Sequence, residues 1–151
     1  MIFAMPDLDD HALSGWRAFL TAHALITRAI SRELAAADLP DLRWYDLLWS
    51  LYRAPDRSLR VTDLAREGVL TQTATSRFVD RVEAAGCVRR EVDPADRRAS
   101  RIVLTNQGED LLRRMWPVYA RGIERHFAEH GGAEMLPTLE AMSDSAREAG
   151  A

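Results

Sequence analysis

The sequence predicts a mainly α-helical single domain with one small β-hairpin, and three observations carry that expectation. Apolar residues recur at helical spacing through most of the chain. Two short stretches of strand-forming residues, Cys87–Val92 and Ser100–Leu104, flank a turn of aspartate, proline and arginine, which is a hairpin pattern. Capping residues and glycines stand where these elements would begin and end. The 151 residues are enough for one domain with a sizeable core, and 47% hydrophobic with 28% charged residues is an ordinary globular composition.

Each element has a local reason. Pro6 and the acidic run Asp7–Asp10 start a first helix, expected from about Asp9 to Ala37. Along it Leu13, Trp16, Leu20, His23, Thr27, Ile30 and Leu34 follow steps of three and four, and Phe19 and Ile26 widen the seam. So long a helix with so broad a seam is expected to pack on a partner chain. Leu39-Pro40-Asp41 breaks it. A second helix is expected over about Arg43–Arg53, with Trp44, Leu47, Leu48 and Leu51 inward, and Ala54-Pro55 ends it. Leu59–Val61 reads as a short extended piece. Thr62 is expected to cap a brief helix over Asp63–Glu67 that Gly68 stops, and Thr71 to cap the next, which runs to Ala85 and stops at Gly86. After the hairpin, Thr105 caps a fifth helix over about Gln107–His130, with Pro117 expected to kink it. Gly131-Gly132 is a loop, and a short last helix reaches about Ala149.

The net charge of −3 argues at first against a nucleic-acid partner, but its distribution does not. Residues 77–101 hold seven Arg against five Asp or Glu, whereas the tail from Glu124 holds six acids and two Arg. All 20 basic residues are Arg, which is best read as genome base composition rather than as a surface adaptation. No stretch approaches the roughly 18 apolar residues of a membrane span. The first ten residues lack a basic region, and a single Cys makes neither an internal disulfide nor a Cys-based zinc site. The expectation is a cytoplasmic protein with no membrane contact.

On a helical wheel from Thr71 to Ala85, Ala74, Phe78, Val82 and Ala85 share one face. Gln72, Thr73, Ser76, Arg77, Asp80 and Glu83 lie roughly opposite, with neutral hydrogen-bonders first, Arg next and acids last. That grading suits a helix entering the major groove by its N-terminal end, where amides meet phosphates and Gln and Thr reach base edges. The preceding short helix and the Gly68-Val69-Leu70 turn complete a helix–turn–helix pattern. In the hairpin turn, Arg97 and Arg98 form a tip suited to a narrow minor groove, with Arg89, Arg90 and Arg101 on the flanking strands. Asp93 and Asp96 look wrong beside phosphates; Asp96 is expected to pair with one tip arginine and hold the other ready to insert.

With these residues in place, the chain resembles the MarR family of bacterial transcription regulators. The resemblance rests on Asp93-Pro-Ala-Asp96-Arg97-Arg98 followed by Ile102-Val-Leu104-Thr105-Asn-Gln-Gly108, on Leu64-Ala65, on Thr75-Ser76-Arg77-Phe78-Val79-Asp80-Arg81-Val82-Glu83, and on Gly86-Cys87-Val88-Arg89-Arg90. It runs in order along the whole chain, including the Trp44-Tyr45-Asp46 start of the second helix. It implies a winged helix–turn–helix lobe plus a helical dimerisation region within a single domain, 1–151. The lobe would occupy residues 43–104, and the first, fifth and sixth helices, within 9–37 and 107–149, would form a homodimer interface. Two recognition helices would then read a pseudo-palindromic double-stranded operator. The DNA contacts so expected are Thr71, Gln72, Thr73, Thr75, Ser76, Arg77, Asp96, Arg97 and Arg98. The resemblance also implies that small molecules bind between the two regions and weaken DNA affinity. Trp16, His23, Trp44, Trp49, Met115 and Tyr119 are the expected lining. The aromatic faces favour a planar aromatic effector, and His23 favours a weak acid. The chain departs from the family pattern at Cys87, where Leu is usual, and at Gly131-Gly132 and Pro137, which make the start of the last helix irregular.

No enzyme, cofactor or metal is expected. His126-Phe-Ala-Glu129-His130 matches a zinc-peptidase pattern, but a peptidase needs a third protein ligand and a substrate cleft, and few residues follow. Cys87 opens a strand at an apolar position and reads as a small hydrophobe rather than a redox sensor. No Ser/His/Asp arrangement, phosphate-cradling glycine loop or paired carboxylates point to catalysis. The overall expectation is a ligand-responsive repressor. The competing one is a small-molecule-binding or protein-interaction module on the same fold without DNA recognition.

Overall fold

The fold was obtained as a computed structural model that describes residues 8–67 and 72–149. Helix α1 (Asp10–Ala36) starts at Asp9, whose carboxylate accepts from the His11 N–H. Asp41 caps α2 (Leu42–Arg53) in the same way, accepting from the Arg43 N–H at 3.0 Å. Each cap satisfies an amide that the helix leaves unpaired. A single 3-10 turn, Pro55–Arg57, leads into β1 (Ser58–Arg60), and α3 (Val61–Glu67) follows at once. Helix α4 (Gln72–Ala84) ends at Gly86, whose φ of 78° lets the Cys87 N–H turn back to the Val82 carbonyl at 3.1 Å. Strands β2 (Val88–Val92) and β3 (Ser100–Leu104) form the hairpin. Thr105 then caps α5 (Asn106–His126), and after two 3-10 turns α6 (Leu136–Ala149) closes the described chain.

The fold is the mainly helical, winged one expected from sequence, with differences in detail. The short extended piece is a true strand: β1 pairs antiparallel with β3, Ser58 opposite Val103 and Arg60 opposite Arg101, so the sheet runs β1-β3-β2. Thr62 is not a cap. Helix α3 begins directly where β1 ends, and Thr62 sits inside its first turn. The fifth helix stops at His126, because Phe127 leaves helical geometry at φ −130° and ψ −58°. The Gly68-Val69-Leu70 turn and the Thr71 cap lie outside the described residues.

One core joins the elements. Leu34 of α1, Leu48 and Leu51 of α2, Val79 and Val82 of α4, Val88 and Ile102 of the sheet and Met115 of α5 are all buried within it. Burying each such side chain stabilises the fold by about 1.5–3 kcal/mol. Helices α1 and α5 cross closely at Gly122, where an added Cβ would stand 2.6 Å from Ile30. Glu33 of α1 also meets Arg125 at 3.0 Å and His126 at 3.2 Å. Only the second half of α1 reaches the core; its first half is exposed. Among the described residues no helix is long and apolar enough to cross a membrane.

Candidate nucleic-acid interface

Two features stand side by side: the exposed side of α4 and the turn between β2 and β3. On α4, Ser76 is half-buried and Arg77 exposed, while Phe78, Val79 and Val82 face the core. Arg97 and Arg98 are exposed at the tip of the hairpin, and among the described residues neither forms an ion pair.

The turn is held from below by a buried carboxylate. Asp93 is 1% exposed. It accepts from Arg60 of β1 at 2.6 Å and from the Ala95 N–H at 2.8 Å, and lies 3.8 Å from Arg101. The Arg60 guanidinium, then the Ala95 amide, hold its carboxyl below the usual carboxylate value. Arg101 is fixed in turn by the Ser58 hydroxyl at 2.7 Å and the Ser58 carbonyl at 3.0 Å. Asp93 therefore presents no charge to a ligand at the tip. Among the described residues Asp96 forms no ion pair with an arginine side chain, contrary to expectation; it accepts from the backbone N–H of Arg98 at 3.0 Å and shapes the turn.

Other arginines are committed to the scaffold. Arg90 of β2 pairs with Glu83 and Asp80 of α4, tying the wing to the helix and neutralising the acids on its outer side. Arg89 pairs with Glu91 at 2.7 Å. Among the described arginines of α4 and the wing, Arg77, Arg81, Arg97 and Arg98 are exposed without a carboxylate partner, and Arg81 lies 5.9 Å from the centre of the Phe78 ring. Of the other expected contacts, Thr75 is buried rather than presented. Thr71 lies outside the described residues, as do the side chains of Gln72 and Thr73.

The end of α4 is bonded to the start of α5. Gln107 donates to the Ala85 carbonyl at 3.0 Å, and the Thr105 hydroxyl donates to the Gly86 carbonyl at 2.7 Å while accepting from the Gly108 N–H at 3.1 Å. Two hydrogen bonds and a helix cap thus join the C-terminal end of α4 to the start of α5.

The six side chains expected to line one pocket do not converge. Trp49 and Tyr119 line a cleft of about 590 Å³ between α2 and α5, together with Tyr45, Asp46, Tyr52, Glu109, Leu112, Arg113 and Trp116. His23 lines a separate apolar cavity of about 770 Å³, between α1 and the segment that follows α5. Met115 is buried in the core, Trp44 packs edge-on to Phe78 at 6.1 Å, and Trp16 is exposed, stacked on Phe19. In the cleft, burial followed by the charge of Asp46 raises the Tyr119 hydroxyl, and burial raises Tyr45. Desolvation, with a smaller contribution from Asp41, raises Asp46 itself. Sequence reasoning missed Asp46 and Arg60, and it flagged Asp93 as a charge out of place beside phosphates without its inward pairing to Arg60; only the fold shows what each of the three faces.

The family model described as MarR family matches residues 37–99. Among solved structures, the chain is similar to Sco3205, a MarR family transcriptional regulator from Streptomyces coelicolor in complex with DNA. The identity is 30%, the TM-score 0.83, and the match covers 97% of this chain and 92% of that one. AbsC, a MarR family transcriptional regulator from the same organism, is 26% identical with a TM-score of 0.84, covering 95% of this chain and 99% of that one. A mutant of MarR from E. coli, complexed with operator DNA, shares the fold at 19% identity with a TM-score of 0.74, covering 93% and 98% of the two chains. No curated protein matches the sequence.

Proposed function

Since the chain belongs to the MarR family of transcriptional regulators, we propose that it acts as a homodimeric repressor that reads a pseudo-palindromic operator and releases it on binding a small molecule. The observation that carries the DNA-reading part is the pairing pattern around the wing. Asp93, Asp80 and Glu83 are each paired with scaffold arginines, while Arg77, Arg81, Arg97 and Arg98 are exposed on the two elements without a carboxylate partner among the described residues. Arg77 and the N-terminal end of α4, with Gln72, Thr73 and Ser76, read the major groove. Arg97 and Arg98 enter the flanking minor groove, where the phosphates concentrate negative potential. The complex of Sco3205 with DNA supports this reading.

The dimer is supported by apolar surface that a lone chain leaves to water. Trp16, Leu20 and Leu25 on α1 and Leu136 and Met142 on α6 are exposed, Trp16 and Met142 at 56% each. A two-fold pairing through residues 9–37 and 107–149 covers them and sets two lobes, residues 43–104, about one DNA turn or roughly 34 Å apart. Ligand response follows from the α4–α5 junction. A molecule between α2 and α5 that shifts α5 also shifts α4, and a coupling of about 1–3 kcal/mol lowers DNA affinity about 5- to 150-fold. A mobility-shift titration on the DNA upstream of its own gene, alongside sedimentation at the same concentrations, tests this. A dimer that binds this DNA and not a scrambled duplex is the expected result. A monomer, or equal affinity for both duplexes, would overturn it.

A further inference from the structure

We propose that the cleft between α2 and α5 recognises a small organic cation carrying an aromatic ring, with Trp49 and Trp116 as its stacking faces and Asp46 as its counter-charge. This names the ligand class for the effector site proposed above and rests on that reading for its regulatory consequence alone.

The walls come first. Trp116, Tyr45, Trp49 and Tyr52 form a consecutive array of near-parallel rings, with centroids 6.1, 6.2 and 5.7 Å apart. Tyr119 stands edge-on to Tyr45 at 4.7 Å and to Trp116 at 6.3 Å. The side chains of Trp49 and Trp116 are about half exposed, so a ligand can reach them. Aromatic faces carry negative potential and attract cations. The array already holds one: the Arg57 guanidinium lies 3.9 Å from the centre of the Tyr52 ring. Arg57 and the preceding Asp56 adopt left-handed backbone, φ 53° and 55°, a conformation that costs non-glycine residues free energy.

The charges at the rim select the sign of the ligand. Glu109 is paired with Arg57 at 3.1 Å and with Arg113, and Arg113 is paired again with Asp110 at 3.1 Å. Both arginines are therefore committed to carboxylates. Asp46 has no ion-pair partner among the described residues, and its charge is felt at both Tyr45 and Tyr119. An anion entering the cleft meets an unpaired carboxylate and negative ring faces. A neutral ring gains stacking alone, and a cation gains both interactions. His23, which favoured an acidic ligand on sequence grounds, lines the other cavity.

The test titrates the full chain, by tryptophan fluorescence, with phenyltrimethylammonium, its neutral isostere tert-butylbenzene, and salicylate. The cation should bind about tenfold more tightly than the isostere, and salicylate most weakly. Asp46→Asn should lose most of that preference and leave tert-butylbenzene binding unchanged, while Asp46→Glu retains it. A circular-dichroism melt confirms that each variant folds. Equal binding of cation and isostere, tighter binding of salicylate, an unchanged preference in Asp46→Asn, or no response to any probe would each overturn the proposal. Release of operator DNA is followed in the same titration. Cation binding without release leaves the ligand class standing and overturns the regulatory reading. Release by salicylate with no cation binding overturns the ligand class and leaves the regulatory reading standing.

Discussion

Gly108→Ala tests the junction through which α5 and α4 are joined. Gly108 lies in the first turn of α5, and an added Cβ would stand 2.1 Å from the Cys87 carbonyl oxygen, 3.0 Å from its carbonyl carbon and 2.8 Å from Leu104 Cδ1. A carbon and a carbonyl oxygen approach no closer than about 3.3 Å, so the helix must retreat by about 1 Å from a backbone atom that cannot swing aside. That retreat pulls on the Thr105–Gly86 and Thr105–Cys87 hydrogen bonds and on the Thr105 cap. Overpacking costs about 1–3 kcal/mol and the cap about 1 kcal/mol, against a gain of about 1 kcal/mol from helix propensity. The net loss of about 1–3 kcal/mol lowers the melting temperature by roughly 3–10 °C at this chain length. Scanning calorimetry reads it directly, and DNA affinity should fall as well, because α4 moves with the junction. A variant that melts within about 1 °C of the parent or above it would refute the reasoning.

Other outcomes follow from the same contacts. Arg97→Ala and Arg98→Ala should each weaken DNA binding by about 1–3 kcal/mol without changing the melting temperature, as measured by anisotropy and calorimetry; unchanged affinity in both removes the wing from DNA binding. The Asp93 carboxyl is held low by Arg60, so the stability it supplies is present above its unfolded value near about 3.9 and is lost as pH falls through the lower folded value. Urea titrations across that acid range should show a falling stability in the parent and a flatter profile in Asp93→Asn, whereas parallel profiles would contradict the pairing. Cys87 is buried, and burial raises its thiol. In the native protein it should react slowly with thiol reagents at mildly alkaline pH and release one equivalent on denaturation; fast native reaction would place it at the surface.

The helices and the hairpin were legible because their signals are local. Asp9, Asp41 and Thr105 stand at helix starts, Gly86 at a stop, and the two runs around Asp93–Ala99 are joined by a short turn that brings them together as a hairpin. Strand β1 was read as extended but not as a sheet member, since three residues show no periodicity and its partner, β3, is far along the chain. A hydroxyl at Thr62 is a common helix-start signal, but β1 ends at Arg60 and α3 starts at Val61, which places Thr62 inside the helix. The site divides in the same way. That Arg97 and Arg98 form a tip is visible in the turn, but that Asp93 turns inward to Arg60 requires β1 to lie beside β3. The pocket was the least legible part. Helical periodicity tells which side of a helix is apolar, not which neighbour it faces. Trp44 and Met115, which went to the core, therefore looked no different from Trp49, which lines a cleft.

The central claim is that α4 and the wing read DNA sequence, and selection from a library of random duplex DNA tests it most directly. The purified protein should enrich a pseudo-palindrome whose half-sites lie about one helical turn apart. Arg77→Ala should relax preference at particular positions in each half-site if it reads a base, or weaken all sequences alike and lower the salt slope if it holds a phosphate. Recovery of no common sequence would contradict the claim. So would a variant carrying Arg77→Ala, Arg97→Ala and Arg98→Ala that selects the parent's sequence with the parent's affinity.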